Sequence, residues 1–331
     1  MKSLLLIICL LVSSVGLAKI RLKVAVVAPE DTAWANNLKL FAKDIKKYTK
    51  GEVNMKIYFG GVMGDEPDVL RKIRVGQLQG GIFTGKTLGE ISGDVRVIEI
   101  PYTFFDDRTK ALNALEKMTP YFNKRFKDNK FINLGFFELG MIYFISVKKT
   151  KRLEDLKGQK IWTWQGDELV TSVIKNMNLI SVPLPLTDVL GSLSTGMVEA
   201  AYAPPLGIVA LQWYTKVKYL IDFPLAFSIG AMLIKQSVWK KIKPEHQKYI
   251  IETAKKYVSK VNDANNIENG EALQAMKDNG IAFIKFPDKD LKEAQAVRKS
   301  VVKQLRGKLF SDEAYKKLEG ILKSGKSPKT N

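Results

Sequence analysis

The stretch LKVAVVAPEDTAWANNLKLFAKDIKKYTKGEVNMKIYF, residues 22–59, decides the fold class. Residues 22–28 form an apolar run suited to a buried strand. Ala35, Leu38, Phe41, Ala42, Ile45 and Tyr48 then recur at the spacing of one helix face, and Gly51 ends that helix. Val53, Met55, Ile57 and Phe59 alternate with Asn54, Lys56 and Tyr58, the period of a half-buried strand. Asp65-Glu66-Pro67 opens another helix, with acids at the positive dipole end and proline in the first turn, and Gly76 closes it. Strand-helix-strand-helix order implies parallel pairing with right-handed crossovers, hence an α/β fold.

Outward from this stretch the logic repeats. Residues 95–100, 131–137 and 142–147 read as strands. After the polar stretch 148–157, a second α/β block follows: a strand at 160–162, a helix at 167–178, a strand at 181–184, a helix at 187–195 and a strand at 198–202. Residues 227–234 form one more buried strand. Beyond them the pattern is purely helical, with Ile250, Ala254, Tyr257, Val258 and Val261 on one face of a long helix.

The first residues, MKSLLLIICLLVSSVGLAKI, read as a secretory signal peptide. Lys2 is the positive n-region, residues 4–12 are the apolar core, and Gly16-Leu17-Ala18 is the cleavage site. The apolar segment has about ten residues where a membrane span needs about twenty. Cys9, the only cysteine, lies in that core too early for lipid attachment, so the mature chain has no thiol and no disulfide. The formal charge is +19. The lysines are scattered singly or in pairs such as Lys46-Lys47 and Lys240-Lys241, with no aromatic reading platform among them. That is a solvated surface rather than a nucleic-acid face.

Catalytic chemistry is poorly supplied. Gly80 to Thr87, GGIFTGKT, satisfies the phosphate-loop pattern G-x-x-x-x-G-K-[ST]. No buried strand ends at its first glycine, apolar Ile82-Phe83 falls inside it, and Gly89 and Gly93 interrupt the helix that would face a phosphate. Tyr219-Leu220-Ile221-Asp222 is a weak companion motif. The single histidine, His246, has no metal-ligand partner in spacing, and there is no nucleophile elbow. The chain is expected to be no enzyme and to need no cofactor or metal.

The aromatic residues say more. Trp162-Thr163-Trp164-Gln165-Gly166-Asp167 stands at a strand end before a helix, where open α/β sheets bind ligands. The two indoles lie either on opposite faces of the chain or together on one wall. Tyr202-Ala203-Pro204-Pro205 and Pro101-Tyr102-Thr103-Phe104 are also read as strand ends. Three aromatic strand ends imply an apolar cleft.

In this order and spacing, Gly61-Val62-Met63-Gly64, Ile100-Pro101-Tyr102-Thr103-Phe104, residues 153–161 (LEDLKGQKI), Pro183-Leu184-Pro185-Leu186-Thr187-Asp188, Gly196-Met197-Val198-Glu199-Ala200 and Lys218-Tyr219-Leu220 run through nearly the whole mature chain. With these segments the chain resembles the DctP-type substrate-binding proteins of tripartite ATP-independent periplasmic (TRAP) transporters. The resemblance implies a two-lobe periplasmic binding protein fold, type II-like. Lobe I is expected to take residues 19–140 plus 224–243, and lobe II 141–223. Residues 244–323 would supply a long helix spanning both lobes and C-terminal helices bracing them, and 324–331 a flexible tail.

The resemblance also implies an arginine where Trp162 stands and an asparagine where Ala203 stands, the groups that grip a ligand carboxylate. Met141-Ile142 replace a further arginine. An anion buried without its cation costs several kcal/mol. The expected ligand is therefore small and hydrophobic, held by Trp162, Trp164, Leu186, Tyr202 and Ala203 from one lobe and Trp34, Phe83 and Tyr102 from the other. The pattern is similar to the branch that works with a periplasmic TPR-repeat partner. Delivery to membrane TRAP permease subunits is the expected role; a ligand-occupancy receptor or TPR-partner scaffold on the same fold is the alternative. Export is expected to leave a periplasmic chain beginning at Lys19 without lipid. The intact mass of the mature protein checks this; a retained leader or a diacylglyceryl increment would contradict it.

Overall fold

The computed structural model describes residues 19–30, 32–287 and 289–324. The expected signal peptide and the tail beyond 324 lie outside them. The chain opens with β1 (Ile20–Ala25), α1 (Ala33–Tyr48), β2 (Val53–Tyr58) and α2 (Glu66–Arg74), in the order read from the sequence. The Thr32 hydroxyl caps α1 by accepting from the Ala35 N–H, and the Asp65 carboxylate caps α2 by accepting from the Glu66 N–H. β3 (Gly80–Thr84), α3 (Gly85–Ile91), a 3-10 segment (Gly93–Glu99) and α4 (Arg108–Asp128) follow.

That 3-10 segment replaces the strand expected at 95–100. Val95, Val97 and Ile98 are all fully buried. A short run buried on every side carries no period, so its pattern suits a buried helix and a buried strand equally. The pseudo phosphate loop is likewise explained. Residues 80–84 are β3 itself, and its glycines serve close packing. A Cβ on Gly80 would meet Ile234 Cδ1 and the Leu233 carbonyl, and one on Gly85 would run into the Glu99 carboxylate.

The second half comprises β4 (Phe131–Ser146), β5 (Lys160–Trp164), α5 (Glu168–Asn176), β6 (Ile180–Leu184), α6 (Val189–Thr195), β7 (Ala200–Ala203), α7 (Pro205–Ala210) and β8 (Tyr219–Lys235). After it come α8 (Gln236–Trp239), α9 (Pro244–Asp278), β9 (Ala282–Ile284), α10 (Lys289–Leu305) and α11 (Asp312–Ser324). The C-terminal part is thus not purely helical, since β9 pairs in parallel with the start of β8. No described helix is long and apolar enough to cross a membrane.

The described strands form one sheet in the order β2-β1-β3-β8-β4-β7-β5-β6, with β9 beside β8. β1 pairs in parallel with β2 and β3 in one lobe, and β5 pairs in parallel with β6 and β7 in the other. The lobes join through β4 and β8, which run antiparallel from Phe131↔Lys235 to Ser146↔Tyr219. The strands expected separately at 131–137 and 142–147 are one strand, bent by register shifts at Asn133/Gly135, Glu138/Gly140 and Ile142/Phe144. The residue limit expected at 140/141 falls inside it. Gly140 has a φ of 118°, and an added Cβ would lie 2.7 Å from Asn269 Nδ2, so both backbone and space require glycine.

Helix α9, 35 residues long, packs on α1 in one lobe and on α7 in the other. At the bend its asparagines bond backbone groups of β4. The Glu138 N–H donates to Asn262 Oδ1 (2.9 Å), while Asn265 Nδ2 donates to the Glu138 carbonyl (2.6 Å) and Asn269 Nδ2 to the Leu139 carbonyl (3.0 Å). An unpaired buried backbone group costs roughly 1–3 kcal/mol, so these contacts make the bend tolerable. Helix α10 packs on α5 and α11 on α4, so the C-terminal helices touch both lobes.

Gly80→Ala tests the close approach of β3 to β8. The new Cβ would lie 2.5 Å from Ile234 Cδ1 and 2.6 Å from the Leu233 carbonyl oxygen, and backbone cannot swing aside. A loss of about 1–3 kcal/mol is expected from such overpacking. Thermal unfolding checks it, and an unchanged midpoint would contradict the packing.

Candidate functional site

Two connected chambers lie between the lobes. The first, about 180 Å³, is walled by Trp162, Trp164, Tyr202 and Trp213 together with Ile142 and Leu225. The second, about 170 Å³, is walled by Trp34, Phe83, Ile82, Glu66 and Asn265. Val27, Leu139, Leu186, Pro204 and Leu211 line both, which makes them one cleft. Leu139 is the residue skipped in the Glu138/Gly140 register shift, so the bend of β4 turns a side chain into the waist of the cleft.

The strand ends hold the aromatic wall. Trp162 and Trp164 share one face of β5, while Thr163 turns away to meet the Ser181 hydroxyl at 2.7 Å. The Trp162 ring stacks on Tyr202 with centroids 5.0 Å apart and meets Trp213 edge-on at 5.3 Å. Its indole N–H donates to the Leu184 carbonyl (3.0 Å). The Trp164 indole N–H reaches across the cleft and donates to Asp65 Oδ2 (3.0 Å). With both N–H groups occupied by protein acceptors, the indoles offer the ligand chiefly carbon.

The structure brings Trp162, Trp164, Tyr202 and Ala203 to the first chamber, Trp34 and Phe83 to the second, and Leu186 to both. Tyr102 lines neither. Its backbone is left-handed (φ 54°), its N–H donates to the Leu225 carbonyl (2.7 Å), and its ring packs against Phe223 and Phe105. Its neighbour Pro101 lines the first chamber instead. The expectation for Tyr102 assumed a strand end, and the 3-10 segment before it sends the side chain inward.

The charged residues of the cleft escaped the sequence reading. Lys86, Arg96, Glu99 and Asp167 line the first chamber. Arg96 Nη2 donates to both oxygens of Asp167, at 3.0 and 3.1 Å, and Arg96 Nε lies 3.2 Å from Glu99 Oε2. The three side chains are only 5–7 % exposed. Lys86 Nζ contacts Glu90 Oε1 at 2.5 Å. Burial acts to lower the Arg96 pKa, but the carboxylates of Asp167 and Glu99 outweigh it and hold the guanidinium above its ordinary value. Burial pushes the Glu99 carboxyl up, against the pull of Arg96. Asp167 also caps α5, its Oδ1 accepting from the Val170 N–H at 3.1 Å. One signal for Arg96 and Glu99 was present: two charges three residues apart inside the otherwise apolar run 95–100.

The family model described as bacterial extracellular solute-binding protein, family 7 (DctP), matches residues 24–308. The chain belongs to the DctP family. Members are extracytoplasmic receptors that capture small molecules and work with TRAP permeases in the membrane; they are not enzymes. An uncharacterised Haemophilus influenzae protein is 24% identical over 321 residues, covering 94% of each chain. The C4-dicarboxylate-binding periplasmic protein DctP of Rhodobacter capsulatus is 21% identical, covering 77% of this chain and 76% of that one. A TRAP periplasmic solute-binding protein from Desulfovibrio salexigens, solved with orotic acid, superposes with a TM-score of 0.84 at 20% identity, covering 92% of this chain and 99% of that one.

In this DctP-family cleft, Glu66 carries a pH dependence. It is 1% exposed and accepts from the Thr84 N–H (2.9 Å) and hydroxyl (3.0 Å). Burial pushes its pKa up to about 7 from the ordinary 4.5, against the pull of those hydrogen bonds. The folded state therefore holds the proton more tightly than the unfolded state. Its contribution to stability is full below pH 4.5 and is lost as pH rises through about 7. At 1.36 kcal/mol per unit the loss is about 3 kcal/mol. Urea unfolding at pH 5 and pH 8 should show a drop in the parent protein that Glu66→Gln largely abolishes; equal drops would contradict the assignment.

Proposed function

We propose that the chain captures a small, largely apolar and uncharged ligand in this cleft and delivers it to a TRAP-type membrane permease. One observation carries the reading: each cation lining the cleft already has a carboxylate of its own. Arg96 is engaged by Asp167 and Glu99, and Lys86 by Glu90. An incoming organic acid would give up its hydration without gaining a free cation, which costs several kcal/mol. An apolar ligand meets Trp162, Trp164, Tyr202 and Trp213 instead. Covering ~100 Å² of its surface contributes roughly 2.5 kcal/mol at 25 cal/mol per Å².

The R. capsulatus relative is named for C4-dicarboxylates, and the D. salexigens structure holds orotic acid. At this identity they support the fold, and the ligand class rests on the cleft's own residues. Trp162 and Ala203 stand where the resemblance implies the arginine and asparagine of an acid-binding site. The likeness to the branch with a periplasmic TPR-repeat partner rests on the same apolar wall, and we carry that partner forward with it.

Calorimetry and thermal shift should find binding among fatty alcohols or neutral aromatic compounds and little for C4-dicarboxylates or sialic acid. Trp162→Ala should weaken the neutral ligand about tenfold or more, near 1.4 kcal/mol. Tight, salt-sensitive binding of a dicarboxylate by the unmodified protein would overturn the reading.

A further inference from the structure

The Arg96–Asp167 pair is unusual in where its members come from. Arg96 belongs to the 3-10 segment before α4, in the lobe of β1–β3. Asp167 precedes α5, in the lobe of β5–β7. Their contact crosses the cleft and forms part of the chamber wall. The guanidinium edge made by Nε and Nη2 is the edge that grips planar anions, because it presents two parallel N–H donors. Here Asp167 takes Nη2 with both oxygens, while the Glu99 carboxylate lies 3.2 Å from Nε as an ion pair without hydrogen-bond geometry, so protein carboxylates crowd that edge.

Two of these groups would suffice for local structure. Arg96 and Glu99 lie in one segment, three residues apart, and pair within a single lobe. Capping α5 needs only an acceptor oxygen, which asparagine offers as well as aspartate. The charge of Asp167 is therefore surplus to both tasks. Burying a further carboxylate, 6 % exposed, carries a desolvation cost that neither task explains.

We propose that Asp167 sets the ligand specificity: its side chain is a built-in carboxylate that occupies Arg96 from the opposite lobe and so denies the guanidinium to anionic ligands. The inference rests on the uncharged-ligand reading and gives it a residue. It also has a charge balance. Arg96 with Glu99 and Asp167 makes one cation against two carboxylates. Removing the Asp167 charge leaves one against one, and a ligand carboxylate restores the original count. A cleft that refuses organic acids would thus accept them after one substitution.

The test uses acetate and benzoate, which do not depend on knowing the natural ligand. In Asp167→Ala, acetate supplies the missing carboxylate, and benzoate adds an aromatic body for the tryptophan wall. By calorimetry and thermal shift against matched chloride, both anions should bind the variant at least tenfold more tightly than the parent protein. The gain should disappear in the double variant Asp167→Ala, Arg96→Met. Asp167→Asn keeps the helix cap and should show the same gain for benzoate; it also covers the case in which the alanine variant folds only with acetate present, a dependence that would itself support the proposal. If the parent refuses both anions and the folded variants refuse them equally, Asp167 is not the determinant and the uncharged-ligand reading stands. If the parent itself binds benzoate as tightly as the variants do, both the determinant and that reading fall.

Discussion

Two strands hold this molecule together as one object. β4 and β8 are the only members of the described sheet that belong to both lobes, and each lobe's parallel strands hang from them. A straight sixteen-residue ribbon would make one flat sheet with no cleft. The register shifts bend it, and the cleft lies where it bends. A bent sheet risks polar backbone groups left unpaired in a buried place, a condition that folded proteins almost never tolerate. The asparagines of α9 bond such groups at the bend, which gives a helix packed on both lobes a chemical role as well as a mechanical one.

The second constraint is electrostatic. An arginine, a lysine and two carboxylates lining an apolar chamber cannot remain ionised unless each finds a partner. The fold meets this with short-range pairs inside one lobe, Lys86 with Glu90 and Arg96 with Glu99, and one pair between lobes. Gly85 belongs to this arrangement, since only the absence of a side chain lets the Glu99 carboxylate sit against the start of α3. The glycines that imitate a phosphate loop are thus a trace of charge burial and strand packing.

What was legible in the sequence follows from the range of the interaction. The strand-helix-strand opening could be read because alternation and helical spacing are local, and the aromatic ends of β5 and β7 because a strand's end is set by its own residues. Residues 95–100 could not be assigned because burial on all sides erases the period. The strand 131–146 reads as two because Gly140, which serves a bulge, looks like a turn residue in a linear reading. Tyr102 was misplaced as a consequence of the first of these. The Arg96–Asp167 contact joins residues 71 apart in the chain, and no pattern in either segment names its partner. Aromatic composition therefore showed that a cleft exists, while its electrostatic character waited for the fold.

The crowding of indoles into the cleft has an optical consequence. Of the five tryptophans in the chain, Trp34, Trp162, Trp164 and Trp213 line one chamber or the other. Most of the protein's ultraviolet emission therefore originates where a ligand would sit. The Trp162 ring lies within 6 Å of two other indoles and Tyr202, close enough for them to share excitation. A guest that displaces water from these rings changes the polarity around several emitters at once. The cleft is in effect its own fluorophore, and its occupancy is written into the intrinsic spectrum without any label.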